Sequence, residues 1–483
     1  MRQCRIIVTS MFALGFALCG PVAAQDGEVV TKGYDDGSFY EGTFLNGRQH
    51  GTGTYTLPNG FTYTGNWVSG EIRGTGKATY PNGSVYKGQF AAGKPEGRGK
   101  INYATGGSYE GDWTGGKMTG QGVARYPDGS VYTGAFLNGR HHGAGVVVSL
   151  DGSAFDGVWV EGKMTGKGKI THADGAIYEG DLKDDIREGL GKLIMPDGLT
   201  YIGQWANGQT NGAGKLTQPN GDIYEGQFVD GQRSGTGTVT HANGDSYTGG
   251  FSADMRDGPG VFRGQDGALF DGTWVAGRLN GPGKITFPDG SRYEGEVKDD
   301  QPHGIGKITF ADGSTYEGSW IANVIEGTGI ATYVSGATYT GTFKAAKPDG
   351  KGTLTLPNGY RYEGEWKDGR REGQATATFP DGTIFTGTFV DGIRQGQGEM
   401  TRPDGFTYTG IWAAGEIDGT GIATYPGGER YEGRFSQGRR QGPGKLTYAS
   451  GRVAEGIWSN GILTAPATAP ENTTDEPAAV PQD

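Results

Sequence analysis

Aromatic and glycine positions alternate with polar ones in short bursts of period two along this chain. In YEGEWKDGRREG, Tyr362 to Gly373, the residues Tyr362, Gly364 and Trp366 fall on one face of an extended strand, and Glu363, Glu365 and Lys367 on the other. The burst recurs every 23 residues, from Tyr40, Tyr63, Tyr86 and Tyr109 to a last partial unit around Trp458. Each unit predicts a β-hairpin: a strand such as Tyr362 to Trp366, a turn around Gly369, a second strand from Gly373 to Phe379, then Pro-Asp-Gly closing onto the next unit. Glycine stands two places after the aromatic in all nineteen units (Gly42 through Gly456), and it opens the later G-x-G in all eighteen complete ones (Gly51 through Gly442). The closing position, as in Gly359, Gly382 and Gly405, is always Gly and usually follows Asn or Asp, residues that tolerate positive φ. Positions this uniform within one chain are geometric requirements of the repeat.

With this alternation, large rings can lie over bare backbone, so a single sheet builds its own core. All nine Trp occupy one column (67, 113, 159, 205, 274, 320, 366, 412 and 458), alternating with Phe or an aliphatic residue such as Leu182 or Val297. Five Trp units carry Ala on the second strand (Ala78, Ala124, Ala331, Ala377, Ala423), which predicts a large-on-small contact between the two columns and a structural unit of paired hairpins. The Trp spacing of 46 is broken once, by 69. Phe155, Phe270 and Phe385 recur at 115, the mark of a copied five-unit block, and place the expected irregularity near residues 228–267.

Composition excludes an ordinary globule, since glycine supplies 96 of 483 residues against about 7% in average proteins. An N-terminal stretch, residues 1–24, has Arg2 and Arg5 ahead of an apolar run from Ile6 to Leu18 and small residues before Gln25, which reads as a secretory signal peptide. Residues 25–32 form a lead-in, 33–463 the repeats, and 464–483 a Pro-, Ala- and acid-rich tail that is expected to be disordered. Both cysteines, Cys4 and Cys19, lie in the leader, so neither a disulfide framework nor a thiol nucleophile is expected after its removal. Removing Arg2 and Arg5 leaves 41 basic residues against 54 acidic ones, a net charge of −13, which argues against nucleic acid as a partner and against attraction to anionic lipid unless the charge is segregated.

Opposite the rings, acids such as Glu41, Glu110, Glu179 and Glu294 line the first strands, and lysines such as Lys100, Lys169, Lys215 and Lys284 line the second. Cross-strand pairing is the expected role of these columns, and a ligand-binding charge stripe is the alternative. The six histidines (His50, His141, His142, His172, His241, His303) lack metal-ligand spacing. No G-x-x-x-x-G-K-[ST] and no G-x-S-x-G occurs. The sequence thus predicts no catalytic residue, no cofactor and no metal.

The segments YEGTFLNGRQHGTGTYTLPNG, Tyr40 to Gly60, and YEGEWKDGRREG resemble the MORN repeat, the membrane occupation and recognition nexus motif. The resemblance covers about residues 33–463, with departures at Leu182, Val297, Ala375, Ala454, Asp185, Asp254, Asp300, Asn323 and Ala346. It implies an all-β fold of tandem antiparallel hairpins in an elongated, twisted single-layer sheet, a solenoid-like rod. It also implies a noncatalytic module that engages membranes, protein partners or copies of itself. The leading expectation is an exported scaffold or spacer, periplasmic or secreted and peripheral to the membrane, that binds protein partners in the cell envelope and self-associates through its end hairpins. The alternative is a reader of membrane lipid or glycan through a groove of exposed rings: Tyr63, Trp67, Tyr109, Trp113, Trp159, Trp205, Trp274, Tyr316, Trp320, Tyr362, Trp366, Tyr408 and Trp412.

Overall fold

The hairpin periodicity read from the sequence is realised in the computed structural model, which describes residues 6–7 and 27–466. The remainder of the leader, and the tail beyond Pro466, lie outside the described residues. Every described regular element is a β-strand. The chain divides into two compact units, one comprising residues up to Ala242 with Phe251–Asp254, the other Asn243–Gly250 with the residues from Met255 onward. In the first, Phe39–Leu45 pairs antiparallel with Arg48–Thr56, which pairs in turn with Thr62–Val68. The second repeats the scheme, for example Leu269–Val275 with Arg278–Thr286 and then with Arg292–Lys298. At the start of the array Val30–Gly33 pairs with the first hairpin, and on its other side Ile6 and Ile7 register with Lys32 and Thr31.

The register aligns the invariant glycines. Gly42 opposes Gly53, Gly53 opposes Gly65 and Gly65 opposes Gly76, so glycine forms an unbroken row across adjacent strands. Gly272, Gly283, Gly295 and Gly306 form the corresponding row within the second unit. The tyrosine that opens a first strand, such as Tyr40 or Tyr201, lies flat over two of them. A Cβ added to Gly203 would stand 2.5 Å from the Cα of Gly214 and 2.5 Å from the hydroxyl of Tyr201, closer than any carbon side chain can come. Burying such a ring contributes about 2–3 kcal/mol, whereas two strand glycines cost about 1–2 kcal/mol together. The ring wins, and the sheet gains a core without a second layer.

A bulge in each hairpin explains the other invariant glycine. Pairing runs from Gly42 opposite Gly53 directly to Phe44 opposite Gln49, which leaves Thr43 facing three residues centred on Gly51. Gly51 takes φ of +73°, a conformation that glycine adopts without a Cβ penalty. The carbonyl that the bulge releases on the first strand is not left unpaired. The Tyr40 hydroxyl donates to the Thr43 carbonyl at 3.1 Å, and Tyr63, Tyr201 and Tyr362 do the same to Asn66, Gln204 and Glu365.

The tryptophans pack differently from the large-on-small expectation. Ala78 registers with Tyr63 and Tyr86, while Trp67 registers with Ile72 and Gly51. The indole leans back over the preceding hairpin, where bare glycine makes room. Its Nε1–H donates to the Gly53 carbonyl at 3.3 Å, and its ring stands edge-on to Tyr40 and Tyr55. Trp113, Trp159, Trp205, Trp274, Trp320, Trp366 and Trp458 repeat the bond to the equivalent glycine. Trp412 departs, its Nε1 being buried without a partner among the described residues.

Over the rings lies a row of lid residues, each the second residue of a second strand. Arg187, Arg256, Arg394 and Arg440 place their guanidinium carbons 4.3–4.5 Å from the rings of Trp205, Trp274, Trp412 and Trp458. Arg394 and Arg440 also donate to the turn carbonyls of Gly415 and Gly461 in the following hairpin. A planar, weakly hydrated cation suits this half-buried place. In one repeat the lid is His141, stacked on Tyr132 with centroids 3.6 Å apart and planes inclined by 9°, with Nε2 2.6 Å from the Tyr126 hydroxyl.

The hairpin turns keep two successive residues at positive φ, Asn46 at 50° and Gly47 at 75°, the twist that joins antiparallel strands tightly. Asp185, Asp254, Asp300, Asn323 and Ala346 replace the glycine yet hold φ between 62° and 73°. The departures therefore leave the turn intact. Asp185, Asp254 and Asp300 compensate by accepting the backbone amides of Met164, Arg233 and Leu279 in the preceding hairpin, at 2.7–2.9 Å.

Three outcomes are expected from this packing. Ala346→Gly should raise stability by about 1 kcal/mol, because it removes the cost of a left-handed alanine, whereas Asp300→Gly should gain nothing because the Leu279 amide loses its acceptor; denaturant titration of both variants checks this. Burial raises the tyrosine hydroxyls, Tyr40, Tyr63, Tyr201 and Tyr408 among them to about 12. Folding therefore favours the neutral phenol: stability is complete below pH 10 and is lost as pH rises from 10 through 12, to be seen as alkaline unfolding coincident with phenolate absorbance. Burial lowers the pKa of His141. Its contribution is present above its ordinary pKa of about 6.5 and declines as pH falls below that value, so His141→Phe should flatten the dependence of the unfolding midpoint between pH 7 and 5.

Candidate functional site: the polar sheet face

Because the rings, glycines and lids occupy one side of each hairpin, the charged side chains of the strands stand on the opposite one. Its central row carries the acid and lysine columns in direct register. Lys169 opposes Glu179, Lys215 opposes Glu225, and Lys284 opposes Glu294. Ion pairs form across these contacts: Lys100–Glu110 at 3.1 Å, Lys169–Glu179 at 3.3 Å, Lys215–Glu225 at 2.5 Å, Lys284–Glu294 at 3.1 Å and Lys307–Glu317 at 3.3 Å. Each joins the second strand of one hairpin to the first strand of the next. All are solvent-exposed, so each contributes under about 1 kcal/mol; their stronger effect is on register and on the charge pattern shown to solvent.

Shallow depressions follow the glycine row on this side, with polar side chains for walls. One of about 720 Å³ is bordered by Lys167, Lys169, Glu179, Lys192 and Ile202. Another of about 570 Å³ lies among Lys351, Glu363, Glu365 and Thr386, and a third of about 450 Å³ among Asp271, Lys284, Glu294 and Ile305. Lysine and glutamate at intervals of one strand, about 4.8 Å apart, present a regular lattice of donors and acceptors to a partner lying across the strands.

The ring residues expected to line a groove are placed elsewhere. Tyr63, Trp67, Tyr109, Trp113, Trp159, Trp205, Trp274, Tyr316, Trp320, Tyr362, Trp366, Tyr408 and Trp412 are all buried, none more than 8% exposed. Their faces are taken up by glycine backbone, by one another and by the lids. The reason is geometric: alternation puts rings and glycines on the same face, and a ring seated on glycine sinks to the level of the backbone. The lid arginines escaped the sequence reading, although the basic residues following the turn, as in Arg187, Arg394 and Arg440, were the signal that could have found them.

His50, His241, His303 and the perturbed acids have local structural partners, whereas His142 Nδ1 is buried without one among the described residues. His50 and His303 accept the amides of Ser69 and Ala322 through Nδ1 at 3.4 Å, and His241 lies 2.9 Å from Asp222. Asp128, Asp151 and Asp312 are held below the usual carboxylate range by the hydroxyls and amides of Ser130, Ser153 and Ser314 in the closing turns. Among the described residues no group of three or more His, Cys, Asp or Glu could hold a metal ion, and no helix is long and apolar enough to cross a membrane.

The family model for the MORN repeat matches eighteen successive segments, beginning with 40–62 and 63–85 and ending with 408–430 and 431–451. No curated protein matches the chain. Among solved structures, the chain is similar to the TCP domain of Drosophila melanogaster SAS-4 in complex with a proline-rich motif of Ana2, with 15% identity, a TM-score of 0.20, and coverage of 40% of this chain and 87% of that one. It is also similar to the wild-type TCP10 domain of Danio rerio CPAP, with 14% identity, a TM-score of 0.16, and coverage of 54% and 95%. With a tandem match running through both units, the chain belongs to the MORN-repeat family, and it is a repeat scaffold or binding module.

Proposed function

We propose that this protein is an exported, noncatalytic scaffold that binds protein partners in the cell envelope through the polar side of its hairpins. The observation that carries this reading is the burial of the first-strand rings: with these tyrosines and tryptophans enclosed, recognition is assigned to the alternating lysines, glutamates and threonines of the opposite side. A surface of exposed, mutually paired charges contributes little to folding and suits a partner of complementary pattern, giving specificity and rapid encounter. Export rests on the leader, whose Arg2 and Arg5 precede the apolar run ending at Leu18.

The test is sedimentation of the exported protein with neutral and anionic liposomes at low and physiological salt, together with sequencing of its N-terminus after fractionation. The expected result is a mature chain beginning at Gln25 in the envelope or external fraction, left in the supernatant with neutral liposomes at either salt. Salt-resistant pelleting with neutral liposomes would overturn the scaffold reading in favour of an apolar lipid reader. Recovery of the intact leader in the cytoplasm would overturn export.

A further inference from the structure

The first-strand position after the aromatic carries Glu, Asp, Thr or Ile in every repeat but one, where it is Lys87. The register sets this lysine between two others: Lys87 opposes Lys77 on one side and Lys100 on the other. Everywhere else a lysine of this row meets an acid, a threonine or an apolar residue; here three ammonium groups stand on three adjacent strands. All three residues are exposed on the polar side. Lys100 has Glu110 at 3.1 Å, whereas among the described residues no acid lies within ion-pair distance of Lys77 or Lys87. The other charges nearby are Arg98 and Asp112, which pair with each other at 3.4 Å. Thr75 and Gln89, directly opposed two residues further along, border the cluster with uncharged hydrogen-bonding groups.

Like charges directly opposed across strands destabilise a sheet, and a glutamate at position 87 would neutralise both neighbours, as in the rows above. Opposed Cα atoms lie about 4.5–5.5 Å apart, so three flexible lysine stems can bring their amines onto one compact anion. Lysine acts as a point charge with three freely directed donors, which fits a tetrahedral oxyanion better than a planar carboxylate. We propose that Lys77, Lys87 and Lys100 form a binding site for a multivalent phosphate group, carried by a free phosphate compound or by a phosphorylated lipid headgroup.

The test is isothermal titration of the full chain with inorganic pyrophosphate at low salt, repeated for Lys87→Glu and Lys445→Glu, with pelleting of the same proteins on vesicles of phosphatidic acid in phosphatidylcholine. Wild type should bind saturably and lose affinity as salt is raised. Lys87→Glu should bind at least tenfold more weakly while unfolding at a higher temperature without ligand, because the introduced carboxylate pairs with both flanking lysines; the loss of binding then cannot be a loss of fold. Lys445→Glu, in a row where that lysine lies between Glu432 and Glu455, should bind as wild type does. Pyrophosphate binding without vesicle retention assigns the site to free phosphate compounds, and retention dependent on Lys87 without pyrophosphate binding assigns it to headgroups. The proposal fails if neither probe binds, or if Lys87→Glu and Lys445→Glu lower binding equally.

Discussion

The structure depends on a tyrosine lying flat on two glycines with its hydroxyl on the carbonyl that a bulge sets free. Each part requires the others. Without glycine at positions such as 203 and 214 the ring has no seat, and without Gly51 and its counterparts the strand cannot bulge. Lacking the bulge, the hydroxyl of a ring buried to its edge would find no acceptor, at a cost of about 1–3 kcal/mol. The tyrosine therefore joins the apolar and polar requirements of the hairpin in one side chain. This is how one layer of sheet supplies a core that otherwise needs two.

The consequence for function is a division of labour between the two sides of each hairpin. Rings, indoles and lid arginines face one way and are consumed in packing. The side facing the other way contributes little to folding and is free to vary in charge. Lys87 illustrates this freedom: a reversed sign in one repeat leaves the strands paired as before.

Much of the fold was legible in the sequence because glycine and aromatic residues recur at fixed intervals, and each restricts backbone or packing on its own. The hairpins, the two turns and the glycine at each bulge could all be located. Tertiary direction was less legible. The second-strand alanines pointed to the tryptophan of the same hairpin, but the indole turns back to its predecessor, since strand register and the room over Gly51 and Gly53 are decided jointly by two hairpins. Exposure of the rings was misread for a related reason: the depth to which a ring sinks depends on the row of glycines that pairing creates, and no single repeat contains that row.

The junctions between hairpins also have a direction. The amide of a turn such as Gly70 donates to Gln49 in the hairpin before it, and the indole of Trp67 donates to Gly53 there. Each new hairpin thus finds acceptors for its turn amide and its indole on backbone that precedes it in the chain, while lid arginines such as Arg394 donate forward to the next turn. A protein made from its N-terminus can close these bonds one hairpin at a time as it emerges, so assembly in the order of synthesis never has to wait for a distant partner.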